Sequence, residues 1–361
     1  MMDRRTGSDV LIVVPCLNEE AHLPGLLADL LRDAGDALVV VADGGSVDRS
    51  REIVRGFADR HTNLRLLDNP KRIQSAAVNL AACNYGAGRR WLVRIDAHAG
   101  YPERFVERLV SAAEDRRATS VVVPMHTQGS SCFQRSAAAA QNSLLGTGGA
   151  VHRHPGRGQW VEHGHHALFD LTLFMAVGGY DEDFAANEDS ELDRRLLAGG
   201  GRIWIEPQAA ITYHPRATPS ALFRQYRNYG KGRARNLKRH PAPVKLRQML
   251  PIGVAPAIVA GTVGLIAAPW RAEALFLALP VLAWVTGSLL VGALLGLRSR
   301  SACDACAGVA AMTMHAGWSL GFVAEVLNGC RLPSSPLPLK FSDPPVREHS
   351  EQMPLIAAVN G

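Results

Sequence analysis

Charge is scarce in this chain and unevenly placed. Only 20% of its 361 residues are Asp, Glu, Lys or Arg, and from Pro251 to Leu297 the sequence is almost uncharged. No apolar run of comparable length precedes that block. Val10 to Val14 is short, stops at Pro15 and lacks a cleavage site, so no signal peptide is expected there. There is no Gly-x-Gly-x-x-Gly turn for a dinucleotide and no Walker A loop, so a bound phosphate would be held mainly by metal and side chains. The six cysteines, Cys16, Cys83, Cys132, Cys303, Cys306 and Cys330, are widely scattered. They suggest no disulfide framework and fit a reducing compartment for the part before the apolar block. Cys303-Asp-Ala-Cys306 has no second half and does not make a zinc site.

The net charge of +6 and pI near 9.2 raise the question of nucleic acid. Where the charge sits argues otherwise. Arg224, Arg227, Lys231, Arg233, Arg235, Lys238, Arg239, Lys245 and Arg247 all fall just before the apolar block. That is the pattern of a cytoplasmic flank facing anionic lipid, and no nucleic-acid motif accompanies it.

Up to about residue 240 the chain alternates β-branched runs with amphipathic stretches. Strands are expected at Val10–Val14, Ala37–Ala42, Leu64–Leu67, Trp91–Ile95 and Ser120–Pro124, with later ones at Arg202–Glu206 and Ala210–Tyr213. Helical spacing follows the first four, for example Leu23, Leu26, Leu27, Leu30 and Leu31. This alternation predicts an α/β fold, a mostly parallel sheet flanked by helices on both faces. A helix is expected near Cys132–Leu145, then a mobile loop, and Val161–Phe174 leads into a Gly-Gly turn. Glu188-Asp189 opens a further helix ended by Gly199–Gly201. Beyond it, Pro251–Pro269 and Ala274–Leu297 are long enough to span a bilayer as a hairpin, and Ala307–Leu327 either spans or lies in the interface. The expected division is therefore a soluble, cytoplasmic domain over 1–250, a membrane region of two to three transmembrane helices over 251–330, and a mobile tail over 331–361.

In such sheets ligands bind beyond the carboxyl ends of the strands. Three polar loops lie there: Pro15–Glu19, Asp43–Ser46 and Asp96–His98. Asp96 and His98, two apart after a buried strand, can share a divalent cation, which could neutralise a diphosphate. Asp43-Gly44-Gly45-Ser46 is good turn chemistry, or a carboxylate for a base or ribose with glycines that let backbone approach. The Glu188-Asp189 pair suits a general base for a hydroxyl. His152, His154, His163, His165 and His166 lack metal-ligand spacing and read as an acceptor-side loop, while His214 is a candidate third cation ligand.

In this order the motifs resemble the family 2 glycosyltransferases of GT-A fold, and among them the succinoglycan-type exopolysaccharide glucosyltransferases. The matching stretches are Val14-Pro15-Cys16-Leu17-Asn18-Glu19-Glu20, Ala42-Asp43-Gly44-Gly45-Ser46-Val47-Asp48, Asn69-Pro70-Lys71-Arg72 and Arg94-Ile95-Asp96-Ala97-His98. They continue with Gly178-Gly179-Tyr180-Asp181, Asn187-Glu188-Asp189, Tyr213-His214-Pro215-Arg216 and Arg224-Gln225-Tyr226-Arg227. The resemblance implies an inverting, metal-dependent hexosyltransferase at the inner membrane. Its donor would be a nucleotide-diphosphate sugar of the UDP-hexose class and its acceptor a lipid-linked or other saccharide. By that resemblance Pro15, Glu19, Asp43, Arg72 and Asp96 bind the donor, Asp96, His98 and His214 hold Mn²⁺ or Mg²⁺, and Asp189 is the base. Glu188, Gln225 and Arg227 would lie near the acceptor or the diphosphate. Two departures stand out: His98 replaces the second Asp of the commoner Asp-x-Asp, favouring Mn²⁺, and Asp170 stands where a basic residue is usual. A sugar nucleotidyltransferase or a non-catalytic membrane scaffold are the competing readings.

Overall fold

The computed structural model describes residues 7–149, 156–184, 186–241, 250–329 and 335–342. Its first half alternates as the periodicity predicts: β1 (Val10–Cys16), α1 (Leu23–Asp33), β2 (Leu38–Asp43), α2 (Ser50–Ala58), β3 (Leu64–Asp68), α3 (Gln74–Tyr85), β4 (Trp91–Arg94), α4 (Phe105–Arg116) and β5 (Ser120–Val123). β1 pairs in parallel with β2 and β4, and β2 with β3. Successive residues of β1 divide between two cores: Val10, Ile12 and Val14 pack with α1 and α4, while Leu11 and Val13 face the side of α3. Both faces are covered, which is why these strands read as unbroken apolar runs instead of alternating ones.

The second half adds β6 (Met125–Thr127), α5 (Cys132–Gln141), α6 (Leu144–Thr147), β7 (Gln159–Val161), β8 (His165–Asp170), α7 (Leu171–Ala176), α8 (Glu188–Ala198), β9 (Ile203–Ile205), β10 (Ile211–Tyr213) and α9 (Pro219–Arg239). The sheet has eight strands in the order β3-β2-β1-β4-β8-β5-β9-β7, with β10 and β6 paired separately. β8 is central and antiparallel to both β4 and β5. The periodicity does not reveal it: His165-His166-Ala167-Leu168-Phe169-Asp170 contains no β-branched residue, and its neighbours impose the strand. Asp170 accepts the Leu173 N–H at 2.9 Å as the amino-terminal cap of α7.

Among the described residues three stretches are long and apolar enough to cross a membrane: Leu250–Ala267, Ala272–Ser299 and Ala302–Leu327. The last of these contains the helix Ala307–Leu327, whose bounds coincide with those read from sequence. Two expectations are corrected. Cys132 and Cys303, 171 residues apart, form a disulfide that joins α5 to the short helix Ala302–Ala305 at the start of the third apolar stretch. Spacing alone does not reveal it, because helix packing across the fold brings the two cysteines together. Residues 335–342, within the tail expected to be mobile, pack on the α/β unit instead. Leu339 donates its N–H to Met175 O at 2.9 Å, Ser342 donates to Cys83 O at 2.8 Å, and Leu339 joins the core beside α3 and α7. Leu339 makes the apolar contact, while Leu337 and Phe341 on the same alternation stand exposed.

Candidate active site

The loops after β1 and β2 are tied to each other before they meet anything else. The N–H groups of Asn18 and Glu19 donate to Ser46 Oγ and Ser50 Oγ, both at 2.8 Å. Asp43 serves this turn. Its carboxylate accepts from Gly45 N at 3.0 Å, Arg51 Nη1 at 2.7 Å and Ser46 Oγ at 2.5 Å. Burial pushes the Asp43 carboxyl up, but those bonds outweigh it and hold the group below its ordinary range. Asp43 is 1% exposed and lies behind the cavity wall. Gly45, at φ +83°, leaves room for Arg72: a Cβ there would sit 3.1 Å from the guanidinium, which therefore lies against the glycine turn. Pro15, Glu19 and Arg72 all line the cavity.

β4 contributes the residue that the motif search passes over. Arg94 is 5% exposed and is the bridge of the site. Its Nε donates to Asp96 Oδ1 at 3.2 Å, and its Nη1 to Asp189 Oδ1 at 2.8 Å and Tyr180 OH at 2.9 Å. An arginine amid buried strand residues was the available signal, since such a charge is buried only when paired. Desolvation works against the Arg94 charge, but Asp189 and Asp96 raise its pKa well above the ordinary value. Gln74 Nε2 also donates to Asp96 Oδ1 at 2.6 Å, and Tyr101 OH closes the turn on Asp96 O at 3.0 Å. Burial raises the Asp96 pKa, yet Arg94 and His165 prevail and the carboxyl is lowered.

His165 stands between the two carboxylates. Its Nε2 is 3.5 Å from Asp96 Oδ2 and its Nδ1 is 3.8 Å from Asp189 Oδ2. The remaining members of the histidine group disperse. His163 pairs with Asp193 at 2.5 Å, His166 stands in β8, and His152 and His154 lie outside the described residues. His98 points Nδ1 at Glu19 Oε1, 3.1 Å away, and that bond raises its pKa. Glu19 also meets His22 Nδ1 at 2.8 Å; burial raises its carboxyl, but the two imidazoles bring it down. Glu188, next to Asp189 at the start of α8, is pushed up to about 7 by burial and then by its neighbour's charge.

One cavity of about 1320 Å³ collects Glu19, Arg72, Asp96, His98, Glu188 and Asp189. Gln225 lines it too, donating to Tyr213 OH at 2.8 Å and Tyr229 OH at 3.0 Å. Two expected members stand apart. His214 is exposed, with Nδ1 3.1 Å from Gln128 O, and Arg227 is exposed; neither lines the cavity. At its far end the space is walled by Val254, Pro280, Trp284, His315 and Trp318 of the apolar helices.

Among the described residues no three His, Cys, Asp or Glu side chains converge on a metal position. The donor set is nonetheless of the right kind for a shared cation. Asp96 keeps Oδ2 away from Arg94, imidazoles stand nearby, and a diphosphate would bring the remaining oxygens.

The sequence profile described as Glycosyl transferase family 2 matches residues 11–177. The chain is 48% identical over 328 residues to the succinoglycan biosynthesis protein ExoA of Rhizobium meliloti (strain 1021), spanning 90% of this chain and 97% of that protein. It is 24% identical over 250 residues, 64% of its length and 48% of the relative's, to the pre-mycofactocin glycosyltransferase of Mycobacterium tuberculosis (strain ATCC 25618 / H37Rv). Its fold is like that of the mannosyltransferase PcManGT from Pyrobaculum calidifontis in complex with GDP-Man and Mn²⁺. The TM-score is 0.56 and the identity 22%, covering 89% of this chain and 87% of the other.

Proposed function

This chain belongs to glycosyl transferase family 2, and from that premise we propose an inverting hexosyltransferase of exopolysaccharide synthesis. Its donor is a nucleotide-diphosphate sugar of the UDP-hexose class, and its acceptor a lipid-linked saccharide met at the cytoplasmic face of the inner membrane. The observation that carries the reading is convergence. Asp96 and His98 after β4 and the Glu188-Asp189 pair of α8 line one cavity, and that cavity continues to the apolar helices.

In this reading Pro15, Glu19 and Arg72 bind the donor, with Asp43 acting behind them by fixing the glycine turn. Arg94 engages Oδ1 of both Asp96 and Asp189, which sets the distance between the donor and acceptor sides. With Arg94 and Tyr180 OH both donating to its Oδ1, the Asp189 carboxylate is held in place to remove the proton of the acceptor hydroxyl as that oxygen attacks the anomeric carbon. Attack from the side opposite the leaving diphosphate inverts configuration. Asp96, with His98 or His165, would hold a divalent cation, which when bound supplies charge neutralisation for the diphosphate. Glu188 and Gln225 face the acceptor side of the same space.

The test is nucleotide release from UDP- and GDP-sugars with Mn²⁺ by the full chain in membranes. Release with one donor class, lost in Asp96→Ala, is the expected result. Full activity and unchanged metal dependence in Asp96→Ala would refute the assignment.

A further inference from the structure

The three apolar stretches are not alike in what covers them. Within the most apolar 18 residues of each, 17% are buried in the first and 11% in the second, against 44% in the third. Large side chains such as Val263, Ile266, Leu275, Phe276, Leu290 and Leu294 stand exposed along the first two. The third is flanked by protein on several sides, the hairpin's own arms among them: Gly308 lies against Ser288 O, Trp284 Nε1 donates to His315 Nδ1 at 3.3 Å, and Ser319 Oγ donates to Ile252 O at 2.8 Å. Ala307, Ala310 and Met314 pack with Ala137 and Ala140 of α5, and its later turns run beside α9. Gly317 faces Phe223 O, where a Cβ would come within 2.7 Å, Gly321 meets the Arg227 backbone, and Glu325 takes the Arg235 guanidinium at 2.9 Å. The pairing order, 223 with 317, 227 with 321 and 235 with 325, makes the two helices parallel.

α9 carries Arg224, Arg227, Lys231, Arg233, Arg235, Lys238 and Arg239, and so many cations cannot lie along a helix in hydrocarbon. Both ends of the third helix are also tied to the α/β unit. Before it, Arg135 Nη2 donates to Ser301 Oγ at 2.9 Å and Ser136 Oγ to Cys303 O at 2.6 Å, beside the disulfide. After it, Leu337 O and Pro336 lie against Gly178, and Leu339 N bonds Met175 O. Gly329 to Leu337 is eight residues, at most about 28 Å fully extended. A hydrocarbon core is about 30 Å thick before headgroups are counted. A crossing at 307–327 would leave the tail on the wrong face.

We propose that the bilayer is entered by the hairpin 250–299 alone, which crosses twice, and that Ala307–Leu327 stays on the catalytic side as a strut held by α5, α9 and the protein-facing side of the hairpin's second arm. The lipid-facing surface is then the exposed apolar side of the hairpin. Its tip, Trp270-Arg271-Ala272-Glu273, lies on the far face, and Arg298 and Arg300 return to the same side as the cations of α9. This rests on the reading of the protein as membrane-bound.

Single cysteines in full-length Cys306→Ser protein test it, labelled with a membrane-impermeant maleimide in right-side-out and inverted vesicles, above the parent's signal. Asp115→Cys reports the catalytic side, Ala272→Cys the tip, and Asn328→Cys, with Leu327→Cys as a second probe, the end of the strut. The expected result is labelling of 115 and 328 in one vesicle type and of 272 in the other only. Labelling of 328 together with 272 overturns the strut, and labelling of 272 from the catalytic side, or from neither, overturns the double crossing. Extraction by alkaline carbonate separates the premises: a released protein ends the membrane reading itself, whereas a retained protein with the wrong sidedness ends only this proposal.

Discussion

Replacing Arg94 with Met removes the cation that both site carboxylates lean on while keeping most of the side-chain volume. The structure gives three bonds to lose, to Asp96, Asp189 and Tyr180, all from a guanidinium that is 5% exposed. Deleting one partner of a buried charge pair costs about 3–5 kcal/mol, because the carboxylates left behind are under-solvated. At about 2–4 °C of melting temperature per kcal/mol for a unit of this size, Arg94→Met should melt roughly 6–20 °C lower in detergent. A second readout is pH. The Asp96 carboxyl is held below its ordinary value against burial, with Arg94 first among the opposing influences. A depressed carboxyl stabilises the fold above its unfolded pKa and stops doing so as pH falls through the folded one. In Arg94→Met that protection is gone, so the acid loss of both stability and nucleotide release should begin at higher pH. Arg94→Lys should recover little, since one ammonium cannot span both carboxylates. A variant that melts with the wild type and keeps its acid limb would refute the bridging role.

Asp189→Asn should lower turnover by about 10²–10⁴, the usual yield of a positioned base, with donor affinity measured by calorimetry nearly unchanged; a lost donor site instead would remove Asp189 from the base role. Glu188 is raised to about 7, so the fold holds its proton more tightly than the unfolded chain between the ordinary carboxyl value and about 7, and stability falls as pH rises through that window. Glu188→Gln should therefore gain melting temperature over wild type at pH 8 and differ little at pH 4; equal curves at pH 8 would contradict it. Gly45→Ala combines a left-handed φ with a contact at the Arg72 guanidinium, a strain of about 1–3 kcal/mol. It should weaken donor binding more than turnover, read as a rise in KM.

The parallel half of the sheet was legible because strands buried on both faces leave an unmistakable mark: Val10–Val14 and Ala37–Ala42 hold little except apolar, mostly β-branched side chains. β8 left no such mark, and with it went the position of His165, which only the antiparallel pairing with β4 and β5 brings between Asp96 and Asp189. Motif order pointed to Asp96 and Asp189 but not to what joins them; the one local signal for Arg94, a charge within a buried strand, says that it is paired but not with which carboxylates. His98 is the counterpart. Its spacing from Asp96 suggested a common ligand, whereas the fold turns it to Glu19, on a loop 79 residues earlier. The apolar character of 307–327 was equally plain, but whether lipid or protein covers a helix is decided by its neighbours, and α9 lies in a different part of the sequence.

The Cys132–Cys303 bond converts the middle of the chain into a covalent ring. Asp189, α9 and both arms of the hairpin lie within its circumference, so a single cut anywhere along it would leave the pieces tethered. Closing a circuit of that size removes about 5 kcal/mol of unfolded-chain freedom on the chain-entropy account. Under reduction the ring opens, but the junction keeps the Ser136–Cys303 and Arg135–Ser301 hydrogen bonds and the packing of Ala307–Leu327 on α5 and α9, so the covalent link is felt in the unfolded chain more than in the folded one.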